Sequence, residues 1–236
     1  MVGVTRALPR PARGGLHLSL LDLLGLAACV LLLISVGMAL LYAPTELIQG
    51  EPQRIFYMHL PMAAVSYFSF ATTAVAGIGY LWKRSMAYDV VARSAAEIGV
   101  LFTTLVIISG GLWGRATWGT FWQWEPRLTF TFILWLIFVA YLMLRQASQD
   151  KERMARYAAV LGIIGFADVP MVFMSVYWWR GIHPEVAHMP QSMAITLLVS
   201  LAAFTALFVY LLVQRIEIDR AREELDEIRA TLEDPA

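Results

Sequence analysis

A chain of 236 residues could fill one or two soluble domains, but 59% of it is hydrophobic, 15% is charged and its mean hydropathy is +0.63. Too little polar residue remains to cover a globule. A formal net charge of zero argues against nucleic acid as partner, and a lone cysteine, Cys29, excludes an intrachain disulfide, a C-x-x-C redox pair and a thiolate metal cage.

Residues 1–17 read as a basic arm, with Arg6, Arg10 and Arg13 set among prolines and glycines. A helix needs about 20 mostly apolar residues to cross a bilayer, with ~17 as the lower limit. Six runs meet that requirement, near 23–42, 60–82, 98–113, 128–144, 157–179 and 192–213. The third and fourth lie near the minimum, so their ends are expected to borrow interfacial residues. The first run is too long for a secretory leader and no small-x-small site follows it, so it is expected to be retained as a span. The fold class is therefore all-α: a bundle of six transmembrane helices over residues 18–213, with membrane lipid as its solvent.

Lys and Arg set the orientation. The two ends and the loops on their side carry 14 of the 18 cations, whereas the alternating loops hold only Arg54, Arg115, Arg127 and Arg180. Both termini are thus expected in the cytoplasm, with three loops facing outward. Residues 214–236 form a separate acidic tail. Ala221, Leu225, Ile228 and Leu232 recur there at steps of four and three, the pattern of an amphipathic helix or a short coiled-coil seam. Either a solvated extension of the last span or a partner-docking helix fits that pattern.

The unusual residues gather on the outward side. His59 lies at the mouth of the second span in "RIFYMHLP", and His183 and His188 lie in "YWWRGIHPEVAHMP" between the fifth and sixth. Between the third and fourth, residues 113–130 carry Trp113, Trp118, Trp122 and Trp124, punctuated by Gly114 and Gly119. Tryptophan at a bilayer surface needs no special cause, which suffices for Trp82, Trp178 and Trp179. Four in one glycine-hinged stretch exceed what an interfacial belt requires. A lone interfacial histidine is ordinarily just a polar residue at a helix end. Two of them flanking an indole platform describe something more specific, because neutral imidazole is a good axial ligand for haem iron and a flat apolar macrocycle suits indole rings. Propionates need cationic donors. Arg127, directly after the platform, is the first candidate, followed by Arg54, Arg115 and Arg180. His188, beside Pro190, reads first as a helix-entry residue and second as an alternative ligand. Asp168 sits midway along the fifth span next to Pro170. There it is either a structural, hydrogen-bonded carboxyl meeting Thr103, Thr104 or Ser109, or part of a relay.

"WGTFWQWEPRLTF" resembles the tryptophan-rich WWD signature of haem-handling membrane proteins, W-G-x-x-W-x-W-D-x-R. Six spans in so short a chain resemble the CcmC family of the cytochrome c maturation system, over roughly residues 20–213. The resemblance implies that His59 and His183 are the axial ligands of haem b. It also sets Trp118, Gly119, Trp122, Trp124, Glu125 and Arg127 at signature positions. Glu125 departs from the pattern's Asp while keeping a carboxylate, and Pro126 follows it. The family implies a haem-binding and delivery subunit rather than an enzyme, in the inner membrane of Gram-negative-type bacteria with these loops in the periplasm. Its implied partners are the periplasmic haem chaperone CcmE, the ABC transporter subunits CcmA and CcmB, and the small membrane protein CcmD.

Three other functions fit less of the sequence. An electron-carrying b-type cytochrome is expected to place histidine pairs within its spans, and no histidine here is mid-span. An enzyme acting on a lipid-linked glycan would leave the histidines idle. A permease has only Asp168 as a midplane ionisable group.

Overall fold

A computed structural model describes residues 19–147, 150–179, 181, 183 and 189–233. Among these residues there is no strand, and the chain folds as an all-α membrane protein. The helices are α1 (Leu20–Gly37, continuing as a π turn over Met38–Tyr42), α2 (Phe56–Lys83), α3 (Met86–Trp118), α4 (Pro126–Leu144), α5 (Lys151–Phe166), α6 (Asp168–Trp178) and α7 (Gln191–Glu233). A 3-10 turn, Glu51–Ile55, leads into α2. With α5 and α6 taken as one broken span, six segments are long and apolar enough to cross a bilayer.

Local chemistry fixes most of the boundaries. Ser19 and Asp22 form a reciprocal capping box that starts α1. Asp150 caps α5 by accepting from the Arg153 N–H at 3.0 Å. Arg84 takes a left-handed φ of 55° and closes α2 with a 2.8 Å bond to Tyr80 O, so α3 restarts at Met86. Between α5 and α6 the chain breaks at Ala167, three residues before Pro170, which has no N–H to continue the ladder.

The central helix is α2, which packs against α3, α5 and α7; α1 leans on α7, and α4 on α6, α3 and α5. Small residues set the spacing. Phe70 of α2 lies over Gly99 of α3 and stacks on Phe138 of α4 at 3.8 Å, while Gly77 sits against the Ala159 backbone. Buried Ser66, Ser69, Thr73, Ser94 and Thr103 return their hydroxyls to carbonyls of their own helices, which satisfies them where no water is at hand.

Alternation of the spans sorts the chain ends. At one end a charged layer joins Arg145 to Asp89, and Arg215 to Glu97 and Asp219. Burial opposes the charge on Arg145, but its hydrogen bonds to Asp89 outweigh that cost and hold the guanidinium pKa above its ordinary range. The other end carries the loops α1–α2, α3–α4 and α6–α7, and with them His59, His183 and the tryptophans from Trp113 to Trp124.

Two expectations change. The third span does not sit near the minimum length: α3 has 33 residues and takes in Trp113, Gly114, Arg115 and Trp118, so the first third of the glycine-hinged stretch is helix. Asp168 meets none of its expected partners. Thr103 bonds Gly99 O, Thr104 bonds Val100 O and receives the Trp135 N–H, and Ser109 faces His59. The Asp168 Oδ2 atom is buried with no hydrogen bond, at the first position of α6.

Candidate functional site

Loop α1–α2 is a rigid support. Gly50, at φ 64°, lets the chain turn back on Glu46, whose carboxylate accepts from the N–H groups of Ile48 (2.8 Å) and Gln49 (2.5 Å). The Arg54 guanidinium donates to the carbonyls of Ala39 and, at 3.1 Å, of Ala43, and pairs with Glu51 at 2.5 Å. It thereby caps the orphan carbonyls at the end of the first span. Arg54 is committed to this strut and does not line the cavity described below.

His59 lies in the first turn of α2. Its Nδ1 is 3.0 Å from the Ser109 hydroxyl of α3, and its ring meets Trp113 edge-on at 5.7 Å. Gly110 makes room for it, since a Cβ there would stand 3.0 Å from the imidazole Cε1. Trp113 is itself held by its indole N–H, which donates to Gln49 Oε1 at 2.9 Å.

Helix α3 ends at Gly119, with φ 80°. The chain then folds back along the glycine face of α3: a Cβ on Gly111 would lie 3.1 Å from Phe121 O, and one on Gly114 3.2 Å from Thr120 O. These two glycines therefore serve close approach of backbone, not the loop freedom expected of Gly114. Trp122 packs edge-on to Trp124 (5.5 Å) and Phe132 (5.9 Å), and its indole N–H is buried without a partner. Trp124 is 74% exposed and stands outside the cavity.

Glu125 is the N-cap residue of α4, and Pro126 occupies the helical position that tolerates a missing N–H. The carboxylate is turned away from that helix. Its Oε1 lies 2.6 Å from Nδ1 of His183, and Oε2 packs against Gly181, where any Cβ would collide. Trp118 meets His183 edge-on at 5.4 Å. Glu125 and Trp118 thus join the tryptophan segment to the loop before α7 through His183.

These parts enclose a single cavity of about 850 Å³, lined by His59, His183, Trp113, Trp118, Trp122 and Arg127 among others. That volume falls in the range of small-molecule and cofactor sites. Both imidazoles have Nδ1 engaged, by Ser109 and by Glu125, which leaves Nε2 of each as the nitrogen for a ligand. Arg127 is partly buried and has no hydrogen-bond or ion-pair partner among the described residues. Gln53, also on the wall, keeps a buried Oε1 without a partner. Gly119 and Arg115 stay outside the cavity, with Arg115 donating to the Gly119 carbonyl beside the Phe121 ring. Arg180 and His188 lie outside the described residues. Sequence reasoning missed Gln49, Gln53, Gly110 and Gly181, and assigned Ser109 elsewhere. A signal for Ser109 existed, because it precedes Trp113 by four residues on one helix and so shares its face.

The profile of the family described as "CcmC: Heme exporter protein C" matches residues 10–231. Among curated relatives, heme exporter protein C of Bradyrhizobium diazoefficiens is 39% identical over 208 residues, covering 84% of this chain and 79% of the relative. Heme exporter protein C of Escherichia coli K12 is 36% identical over 170 residues, 72% and 69% of the two chains. A putative cytochrome c biosynthesis ccmC-like mitochondrial protein of Marchantia polymorpha is 31% identical over 180 residues, 75% and 76%. The chain belongs to the heme exporter protein C (CcmC) family.

Proposed function

We propose that this protein binds haem b in the cavity between His59 and His183 and hands it to a soluble acceptor for cytochrome c maturation. The observation that carries the reading is that both imidazoles line one cavity with Nδ1 already engaged. Metal-ligating histidines are oriented in this way, with one nitrogen fixed by a hydroxyl, carbonyl or carboxylate and the other left for the metal. Two imidazoles are too few to hold a bare ion in a four- or six-coordinate site, but they suffice for a metal that arrives with four equatorial nitrogens. The remaining wall supports the same ligand. Indole and phenyl rings suit the macrocycle, and the Arg127 guanidinium and Trp122 N–H, both without a partner among the described residues, are donors for propionate oxygens.

In this reading Glu125 is a positioning residue that fixes the tautomer and ring angle of His183, and Ser109 does the same for His59. The cavity end faces the periplasm of a Gram-negative-type inner membrane, with both termini in the cytoplasm. The protein acts as a transfer subunit and not as an enzyme. The names of the relatives, which refer to haem export and cytochrome c biosynthesis, support that role. The acceptor is a periplasmic chaperone of the CcmE kind, and the complex includes CcmA, CcmB and CcmD.

The test is haem content of detergent-purified protein in single and double histidine variants. His59→Gly and His183→Gly should each weaken retention and regain it with added imidazole, and the double change should abolish it. Undiminished haem in the double variant would overturn the ligand assignment.

A further inference from the structure

Helix α7 leans on α1, α2 and α3, whereas α4 and α5 pack on each other. Between these groups, at the end away from His59 and His183, the start of α3 forms the floor of a second cavity of about 580 Å³. Its walls come from the end of α4, the first turn of α5 and the part of α7 beyond its apolar run. Depth in the bilayer follows from where the apolar runs stop. Arg145 directly follows the α4 run, Lys151 precedes Tyr157 by six residues, and Asp219 follows Val213 by six. Six residues of helix rise ~9 Å, and the polar layer flanking the hydrocarbon core is about 5–8 Å thick on each side. The cavity therefore lies at headgroup depth, and Leu142, inside the α4 run, contributes to its wall.

Most of the charges on its wall are matched within the chain. Asp89 pairs with Arg145, and Glu97 with Arg93 at 3.2 Å and with Arg215. What is left carries both signs. Asp219 is only 4% exposed; its Oδ1 accepts from Arg215, while its Oδ2 is buried with no hydrogen-bond partner among the described residues. Arg222 stays 4.0 Å from that carboxylate, beyond hydrogen-bond reach. Asp226, two turns further along the same face of α7, and Lys151 of α5 also line the cavity. Both are exposed, and neither has an ion pair or hydrogen bond among the described residues. A buried carboxylate oxygen without a donor is costly, and a cationic N–H satisfies it best. A simple cation would leave Lys151 and Arg222 unanswered, and a simple anion would do the same to Asp219 and Asp226. A ligand that carries both a phosphate and a primary ammonium answers all four.

We propose that this cavity binds the headgroup of a phosphatidylethanolamine lipid, with its phosphate on Lys151 and Arg222 and its ammonium on Asp219 and Asp226. The ammonium offers three N–H donors to the two carboxylates. A trimethylammonium headgroup offers none, and a glycerol headgroup carries no cation. The bound lipid bridges α7 to the α4–α5 pair, which the protein's own side chains leave apart at this level. The site does not depend on what fills the cavity at the other end of the bundle.

Native mass spectrometry of the full chain in mild detergent tests it, with phosphatidylethanolamine, phosphatidylcholine and phosphatidylglycerol of identical acyl chains offered in equal amounts. The native protein should retain one phosphatidylethanolamine with a preference of about tenfold over phosphatidylcholine, the discrimination of a charge-assisted hydrogen bond that only the ammonium makes. Asp226→Asn, at an exposed and unpaired position, should leave the melting temperature unchanged and reduce that preference. Asp219→Asn, which still accepts from Arg215, should erase it. Lys151→Gln should instead weaken retention of both lipids and keep their ratio. Equal retention of phosphatidylethanolamine and phosphatidylcholine by the native protein, or a preference undiminished in both Asp variants, would overturn the proposal. So would displacement of the lipid by free phosphoethanolamine, which would make the ligand a soluble one, or a co-purifying polypeptide in its place.

Discussion

The Glu125 carboxylate stands 2.6 Å from His183 Nδ1, and this contact ties the residue that opens α4 to the loop that precedes α7. Only 8% of the Glu125 side chain is exposed, so little water is available to replace the bond if it is lost. Removing such a partner of a metal-ligating imidazole costs roughly 10–100-fold in affinity. Glu125→Ala should reduce haem retention by that order and shift the reduction potential of what remains. Glu125→Gln, which still accepts a hydrogen bond, should fall between Ala and the native residue. Equal haem affinity and potential in all three proteins would remove Glu125 from the site.

Ser109 offers a milder version of the same test. Its hydroxyl meets His59 Nδ1 at 3.0 Å. A hydrogen bond of this kind is worth about 1 kcal/mol, or roughly a fivefold change in a binding constant. Ser109→Ala should weaken haem binding by about that factor and leave thermal stability within about 0.5 kcal/mol of native. A large loss of stability with haem affinity unchanged would make Ser109 purely structural.

Two arginines that look alike in the sequence should part company on mutation. Arg54 holds two backbone carbonyls and Glu51, whereas Arg127 lines the cavity with no partner among the described residues. Arg54→Gln should destabilise the protein by about 1–3 kcal/mol, the cost of leaving buried acceptors unmet. Arg127→Gln should leave thermal stability near native and lower haem retention. Melting curves of the ligand-free proteins together with haem titrations read both effects, and the reverse pattern would contradict the assignment.

At the opposite end, Asp89 and Arg145 form an ion pair with side chains 6% and 14% exposed. Breaking such a pair from one side costs about 3–5 kcal/mol, because the surviving charge stays buried, while replacing both members with apolar residues is often close to neutral. Asp89→Ala should lower the melting temperature sharply, and Asp89→Leu with Arg145→Met should recover most of it. A double variant as unstable as the single one would show that the pair does more than satisfy itself.

The spans were legible because a bilayer demands long apolar helices and leaves few alternatives. Where the helices end was harder to read. Gly114 suggests a hinge by soluble-protein standards, in which a glycine costs a helix about 1 kcal/mol. In lipid an unsatisfied peptide group costs several kcal/mol, so α3 runs past the expected end at Trp113 and through Gly114 to Trp118. Gly110, Gly111 and Gly114 instead admit the His59 ring and the returning Thr120 and Phe121 carbonyls.

Residue types at the site were legible as well; their pairing was not. Tryptophan clusters, isolated histidines and the few arginines in the alternating loops stand out in a chain with 15% charged residues. Nothing in local spacing says that Glu125 reaches His183 58 positions away, or that Gln49 holds Trp113 across 64. Those links depend on how the α1–α2 loop meets α3 and how the start of α4 meets the loop before α7, which one sequence does not encode locally. Asp168 shows the same gap, since its expected hydroxyl partners are each taken by nearer carbonyls or by His59.

An absorption spectrum of the detergent-purified protein, loaded with haem and recorded oxidised and reduced, bears most directly on the central claim. The account predicts a low-spin, bis-imidazole spectrum in the native protein that disappears when His59 and His183 are both replaced by Ala. A high-spin native spectrum, or a low-spin one that survives the double replacement, would contradict it.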